Sequence, residues 1–372
     1  MSLHNELGSS LKKYLCWNKS RLDCFVGMLL ALLRLKHINL TQLALAFGSQ
    51  AAPKSNYRRL QRFFAEVVFD YDAIAHLMMG LFDFQERPYY LTLDRTNWQW
   101  GKIDINILTL AVVYRGAAIP VYWLILNKRG NSNQRERIAL LSRFLRQFGR
   151  QQLLGVLADR EFIGGDWWQW LSDQQIPFVI RVKENQCLLT VRGQKMALSA
   201  RFQDLRPRES RCLRKACQVS QHKVWLSGMR LSSGELLILA ANQYVKDPFA
   251  VYALRWEIEN LFQNLKGRGF HLEETRLTHY FRIKKVMALL AIAFAWAHKV
   301  GEWKDKVIKP LTVKKHGRLA QSLFRYGLDH LTHCLLQRSF DPIEALRAWV
   351  LFWWPPNCIV LHNGIPTLEP ER

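Results

Sequence analysis

The sequence is short of acid. It sets 30 Asp and Glu against 53 Lys and Arg, a formal charge of +23 at pH 7. A chain this basic is expected to meet a polyanion, although its charge says little about its fold. Cysteine is scarce too. Seven residues, at 16, 24, 187, 212, 217, 334 and 358, are odd in number and scattered. That argues against a secreted disulfide scaffold and for a reducing cytosol. Long apolar runs are missing. The longest, Phe25–Leu33 and Val286–Ala297, fall short of the roughly 20 residues that span a bilayer. The first twenty residues lack the apolar stretch of a signal peptide, so no targeting segment is expected. The positive charge is spread along the chain, which speaks against a membrane-surface helix. There is no internal repeat, no low-complexity tract and no phosphate-cradling P-loop, so no nucleotide cofactor is expected. What is present is core material: 49% apolar and 12% aromatic residues over 372 positions exclude global disorder and suit two to three domains.

Four regions separate by pattern. Residues 1–86 read as helical, with Leu22, Phe25, Met28, Leu29 and Leu32 at helical spacing. Within them Thr41 can cap a short helix through Phe47 that Gly48 ends, and a second helix begins near Pro53 to Ser55. On that second helix Tyr57, Leu60 and Phe64 form an apolar stripe. Asn56, Arg58, Arg59 and Arg62 lie mostly outside it. Short helix, glycine turn and basic helix outline a helix-turn-helix, and these four residues are the candidate DNA contacts. An ordinary helical hairpin with a solvated basic face is the plainer alternative.

Residues 87–182 switch to strand chemistry. YYLTLDRTNW, INILTLAVVYR and AIPVYWLILN read as three strands, with a tight turn at Arg115–Ala117. A helix follows, which Ser132 can cap, with Ile138, Leu141, Leu145 and Phe148 on one face. QQLLGVLADREF, GDWWQWLSDQQ and PFVIRVK then read as strand, helix and strand. The order β-β-β-α-β-α-β is the outline of an α/β, RNase H-like core. Short alternating stretches over 183–247 read as a β-rich insertion. Helix resumes at Pro248, so that 248–300 returns to the core and 301–372 forms a C-terminal helical region, a candidate dimerisation surface, with an irregular tail from about 352.

Two aspartates stand out by position. Asp94 closes the first strand and Asp159 the fourth. Those strands are neighbours in an RNase H-like sheet, so the carboxylates would converge. Paired carboxylates repel unless a cation lies between them, and hard oxygen donors suit magnesium or manganese. Strand-end aspartates are also common turn and cap residues, and both readings stand at this point. The stretch DPFAVYALRWEIENLFQNLKGRGF, read as one helix, places Tyr252, Arg255, Glu259 and Lys266 close to one stripe. Glu257 lies near the opposite side and is the wrong candidate for a shared site. The stripe reads either as a solvated face with an Arg–Glu pair, or as one metal-binding carboxylate flanked by phosphate-binding cations.

Tyr252-x2-Arg255-x3-Glu259-x6-Lys266 resembles the YREK box of the bacterial IS-four family of DDE transposases. The resemblance includes a DRT-type motif at Asp94–Thr96, the second aspartate at Asp159, a helical N-terminal region and a β-rich insertion before the third acid. The sequence departs from the family at Glu161, where relatives often carry a small residue; Phe162 keeps the following aromatic.

The resemblance implies a cut-and-paste transposase. Asp94, Asp159 and Glu259 would hold two Mg2+ ions, with Mn2+ able to substitute, and Tyr252, Arg255 and Lys266 would contact DNA phosphates. Relatives nick one strand, form a hairpin end by attack of the freed 3′-OH, reopen it, and join the 3′-OH to target DNA. They trap a flipped base on a tryptophan. Trp225 is the best-placed candidate among 14, ahead of Trp98, Trp100 and Trp123, with packing in the insertion as the alternative. The implied partners are double-stranded DNA, as terminal inverted repeats and as target, and a second copy of the chain. The implied location is the bacterial cytoplasm, at the nucleoid. A catalytically inactive repressor derived from a transposase and an RNase H-like endonuclease without strand transfer are the alternatives. Two other signals are weak. Cys212-x4-Cys217-x4-His222 resembles half a zinc site without a fourth ligand, and the basic run at 314–318 suits DNA backbone or a solvated loop.

Overall fold

A computed structural model describes residues 3–190, 193–315, 317 and 319–336, and the backbone of 359–362 and 365–368. The chain divides into two compact units. One comprises the residues up to Phe84, Trp98–Ile105 and those from Asn260 on; the other comprises Gln85–Asn97 and Asn106–Glu259.

The first unit is helical. Its N-terminal part holds α1 (Leu3–Leu11), α2 (Lys19–Leu35), α3 (Leu40–Leu45), α4 (Pro53–Glu66) and α5 (Tyr71–Leu81). Its C-terminal part includes α10 (Tyr280–Trp303) and α11 (Leu323–Leu336). The apolar spacing read from α2 is its buried face: Leu22, Phe25, Met28, Leu29 and Leu32 are all in the core. Asn39, not Thr41, caps α3, because its Oδ1 accepts the backbone N–H groups of Thr41 and Gln42 at 3.0 and 3.4 Å. That helix stops at Leu45, short of Gly48. Pro53 starts α4 at a position where no backbone donor is needed. The apolar run Val286–Ala297 is the middle of α10, which packs against α2, α4, α5 and α11 and is buried on all sides there. No helix among the described residues is long and apolar enough to cross a membrane.

The second unit is built on a sheet. Its strands include β1 (Tyr89–Trp100), β2 (Ile103–Tyr114), β3 (Ala117–Ile125), β4 (Leu153–Ala158) and β5 (Phe178–Val182), with α6 (Gln134–Phe148) and α7 (Gly165–Asp173) between the later ones. The segment after β5 adds β6 (Cys187–Leu189), β7 (Lys195–Ala197), β8 (Ser210–Cys212), β9 (Cys217–Val219), β10 (His222–Arg230) and β11 (Leu236–Ala241). The sheet runs β3-β2-β1-β4-β5-β11-β10-β9-β6-β7, with β8 also on β10. β1, β4 and β5 are mutually parallel, and β2 and β3 antiparallel. This is the RNase H-like order. The β-rich segment extends the core sheet instead of standing apart, because β11 pairs antiparallel with β5. The sheet leads on to α8 (Pro248–Ala253) and α9 (Trp256–Leu265).

Three local expectations shift. Asn133 caps α6 in a reciprocal box with Glu136, while Ser132 is buried and its Oγ accepts from Arg137 Nε at 2.9 Å. The buried face of α6 is Leu140, Leu141 and Phe144, turned from the expected one because the helix packs on β3. In the tail, β12 (Ile359–His362) and β13 (Ile365–Leu368) pair as a hairpin where irregular chain is expected. The rest of that tail, and His316 and Arg318 of the basic run, lie outside the described residues.

Glycine sets how closely α10 and α11 approach. A Cβ on Gly301 would collide with the Leu323 carbonyl, and one on Gly327 with the Ala297 carbonyl and the Gly301 nitrogen. Backbone cannot yield as a side-chain tip can. Gly327→Ala should therefore cost about 1–3 kcal/mol in chemical denaturation. Gly267→Ala, with nothing within 4 Å of the added carbon, should stay within about 0.5 kcal/mol. Equal midpoints for the two variants would contradict this packing.

Candidate active site

The site begins with a register. Along the parallel pair of β1 and β4, Leu91 faces Val156, Thr92 faces Leu157 and Leu93 faces Ala158. Asp94 comes next on β1, which does not close there as expected but runs on to Trp100 in its pairing with β2, and Asp159 directly follows β4, so the two aspartates emerge side by side on one face of the sheet. Buried aliphatic residues precede both. Burial raises Asp94 to about 7; the Arg95 backbone N–H and the Arg255 guanidinium oppose this, and the carboxylates of Glu161 and Asp159 add to it. Asp159 closes the turn that follows it: its carbonyl accepts from the Phe162 N–H at 2.9 Å and its Oδ1 from the Arg160 N–H at 2.7 Å.

The third acid arrives from the same side. Tyr252 packs in a cluster with Leu157, Val179, Leu237, Leu239 and Ala241. Its phenol O–H donates to Asp159 Oδ1 at 3.5 Å. The single helix expected here breaks between α8 and α9, and bonds of i to i+3 type carry the chain through Leu254, Arg255, Glu257 and Ile258. The break places Arg255 at the junction. Its Nη1 donates to Asp94 Oδ2 at 3.2 Å and its Nη2 to Glu259 Oε1. The guanidinium is almost fully buried, and it lies 5.7 Å from the centre of the Tyr252 ring. One arginine thus connects the first acid to the third, and one tyrosine reaches the second.

The donor set is all oxygen, partly buried and rich in negative charge, which fits a hard divalent cation. The guanidinium bridges Asp94 and Glu259. Among the described residues, the one trio of potential ligand atoms within 4.8 Å of one another is His37, His271 and Glu274. That trio is poorly built for an ion. The two imidazoles stack with centroids 5.0 Å apart and planes 6° from parallel, so their in-plane lone pairs cannot meet at one point. The His37 Nδ1 already accepts the Asn39 N–H at 3.1 Å. The Glu274 carboxylate instead bonds His37 at 3.0 Å and His271 at 2.9 Å, clamping the chain beside the Ile38-to-Phe270 backbone bond.

Three supporting residues were not singled out as site residues. Glu161 pairs with Arg95, whose Nε lies 3.2 and 3.3 Å from its two oxygens and whose Nη2 lies 3.0 Å from Oε2. Arg95 also donates to Asn106 and Asn131. The pair ties the middle of β1 to the turn after β4, and that turn survives because Phe162 stays fully buried with Arg137 over its ring. The signal was the charge itself: an acid two residues after the second aspartate, and an arginine directly after the first. Glu257 has a different task. Its carboxylate accepts the N–H groups of Tyr114 at 2.7 Å and Gly116 at 2.9 Å. These lie at the entry to and within the two-residue turn between β2 and β3, where Arg115 and Gly116 both have positive φ. Burial raises Glu257 to about 7, against the two N–H bonds that favour its charged form. Glu257 stays out of the acid cluster, as its place on the helix implies, yet it is not idle.

Other expected site residues are placed as follows. Lys266 lies one residue past α9. Its ammonium pairs with Glu273 at 2.6 Å and lies 5.8 Å from the Trp98 ring centre. Trp225 is half-buried on β10, opposite Ala241 of β11. Asn56 is a correction: it is buried, not outside the stripe. Its amide donates to the Ala44 and Ala51 carbonyls and its Oδ1 accepts from Ser49, which fixes α3 against α4. Arg59 is half-buried, bonded to the Ser20 carbonyl at 3.1 Å and set over the Phe47 ring. Arg58 and Arg62 are exposed.

Glu257→Ala should leave two turn N–H groups without their acceptor and cost about 1–3 kcal/mol, read as a lower denaturation midpoint. An unchanged midpoint would show that the turn does not depend on this carboxylate.

No curated protein matches the chain in sequence. Among solved structures it is similar to the piggyBac transposase in a cryo-EM structure of its synaptic complex with hairpin DNA. Identity is 10% and the TM-score 0.44, over 95% of this chain and 83% of that one. That likeness is too distant to transfer any residue's role. Residues 87–296, more than half of the chain, match the family described as "Transposase DDE domain". The matched span contains the two side-by-side aspartates and the glutamate joined to the first of them by Arg255, and the chain belongs to the DDE transposase family.

Proposed function

We propose that the chain is an insertion-sequence transposase of the YREK type, which binds terminal inverted repeats, cleaves DNA at the ends and joins the 3′-OH ends to target DNA. The observation that carries this reading is that the box's phenol and guanidinium reach the acids: Tyr252 to Asp159, and Arg255 to Asp94 and Glu259. Asp94, Asp159 and Glu259 would hold two divalent cations, Mg2+ or Mn2+. Held there, such cations supply activation of an attacking oxygen and stabilisation of a leaving oxygen at phosphorus.

The chain's own residues do the rest. The register of β1 against β4 fixes two carboxylates relative to each other before DNA arrives, so little reorganisation is left for the reaction. Tyr252, buried against the sheet, presents only its hydroxyl. Arg255 can grip a phosphate through two N–H groups, and Lys266 can give up Glu273 for a phosphate as a point charge. Each cleavage and joining step is an in-line displacement at phosphorus, so one set of residues serves all of them and no nucleotide cofactor is required. A hairpin intermediate with a base trapped on Trp225 belongs to this reading, as does a homodimer that holds two ends together at the bacterial nucleoid. In it, 1–86 binds DNA, 87–182 and 248–300 form the catalytic core, 183–247 is the insertion and 301–372 dimerises.

The test is strand transfer of a labelled 3′ end in Mg2+ or Mn2+. Asp159→Ala should retain DNA binding and lose cleavage and joining by about a thousandfold or more, the several kcal/mol that a metal clamp supplies. Binding without cutting by both proteins would make the chain a repressor. Cutting without joining would make it a nuclease.

DNA contact by the first unit is tested separately. Arg58→Ala and Arg62→Ala should each weaken end binding and reduce the salt slope by about one. Asn56→Ala should lower stability and leave the slope unchanged, because its side chain is spent inside the protein. An unchanged slope in both arginine variants would move the DNA-binding surface elsewhere.

A further inference from the structure

Before DNA is bound, and on the reading that Asp94, Asp159 and Glu259 ligate divalent cations, Arg255 has a task of its own. We propose that the guanidinium of Arg255 is the site's resident counter-cation: it occupies the space between Asp94 and Glu259 that a divalent cation would take, and it must leave for the acids to ligate.

Four observations lead there. The guanidinium uses both Nη groups on carboxylates that stand 165 positions apart in sequence, Asp94 and Glu259. It bridges two of the acids, while the oxygens of the three do not all lie within 4.8 Å of one another. It is buried, with its side chain 6% exposed, so water cannot take over its role while it is in place. Its Nε is buried with no hydrogen-bond partner. An orphaned buried donor makes a resting position costly, and that cost disappears when the group turns toward an acceptor such as phosphate.

Electrostatics then makes the exchange obligatory. Without a cation, carboxylates gathered in a partly buried pocket repel one another, and a positive group among them stabilises the fold. A carboxylate oxygen engaged with the guanidinium has less lone-pair capacity for a metal ion, and a positive charge in that space repels one. Arg255 and the cation are therefore alternatives at Asp94 and Glu259. Displaced Arg255 is left with free N–H groups beside the place where the phosphodiester binds. Ion loading and phosphate gripping are thus coupled through one side chain, which acts here as a positioning residue for the acids.

The test is Mn2+ binding by the full-length chain, measured by calorimetry without DNA. Arg255→Ala should bind Mn2+ about tenfold more tightly than wild type, within the span usual for linked sites, and Arg255→Lys should lie between the two. Arg160→Ala, which removes an exposed charge next to Asp159, should change affinity less than about twofold. Unchanged or weaker binding by Arg255→Ala would overturn the proposal, as would an equal gain in Arg160→Ala. Should Arg255→Ala fail to fold, titration of wild type with Mg2+ decides. The Arg255 Nε–H resonance, assigned by its absence from Arg255→Lys, should shift as the ion binds, and a resonance that stays put would refute displacement. Asp159→Asn separates the two levels. If it binds Mn2+ as tightly as wild type, the ion is not at the acids and both readings fall. If it loses binding while Arg255→Ala gains none, only the arginine exchange falls.

Discussion

The pairing of β1 with β4 in parallel, with Leu93 opposite Ala158, is the constraint from which the site follows. Side chains alternate along a strand, so a slip of one residue in either partner would send one aspartate to the opposite face. The register is held because both strands are buried. Leu91, Leu93, Val156, Leu157 and Ala158 are all core residues, and a slip would break their packing as well as their hydrogen bonds. The hydrophobic core therefore positions the candidate site at a distance, by holding two carboxylates side by side. Glu161 and Arg95 reinforce this by tying β1 to the turn after β4 just beyond the aspartates.

The helical junction supplies the other half of the site. An unbroken helix from Pro248 would put Tyr252, Arg255 and Glu259 on one line. The break at Leu254 and Arg255 instead anchors a short first helix by Tyr252 in the sheet and starts the second with Glu259 in reach of the guanidinium. Glu257, two residues before Glu259, faces elsewhere and holds the turn between β2 and β3. Two carboxylates two residues apart on one helix thus have separate tasks, one toward the acids and one toward backbone N–H groups.

Much of this was legible in the sequence. The strand order, the two aspartates after buried strand residues and the offset of Glu259 from Arg255 are periodic or positional features, and such features survive folding; that β1 runs on past Asp94 to Trp100 was not legible. Side-chain choices between equivalent local partners were not legible. Asn39 replaces Thr41, and Asn133 replaces Ser132, because each cap depends on where the preceding chain enters the helix. Asn56 looked exposed on a helical wheel, but α3 covers it, and coverage by a neighbouring helix is a tertiary fact that periodicity cannot carry. The helix break at Arg255 has no proline or glycine to announce it. The pairing of Glu161 with Arg95 needed the two strands to be adjacent before it could be seen.

The central claim, that cations gather at three acids distant in sequence, can be read directly from the polypeptide. Fe2+ takes oxygen-rich divalent sites, and with ascorbate and peroxide it cleaves backbone close to where it is bound. Fragments of the full-length chain should map to cuts near residues 94, 159 and 259, and excess Mg2+ should suppress them. Cuts confined to the neighbourhood of His37 and His271, with none at the acids, would contradict the account.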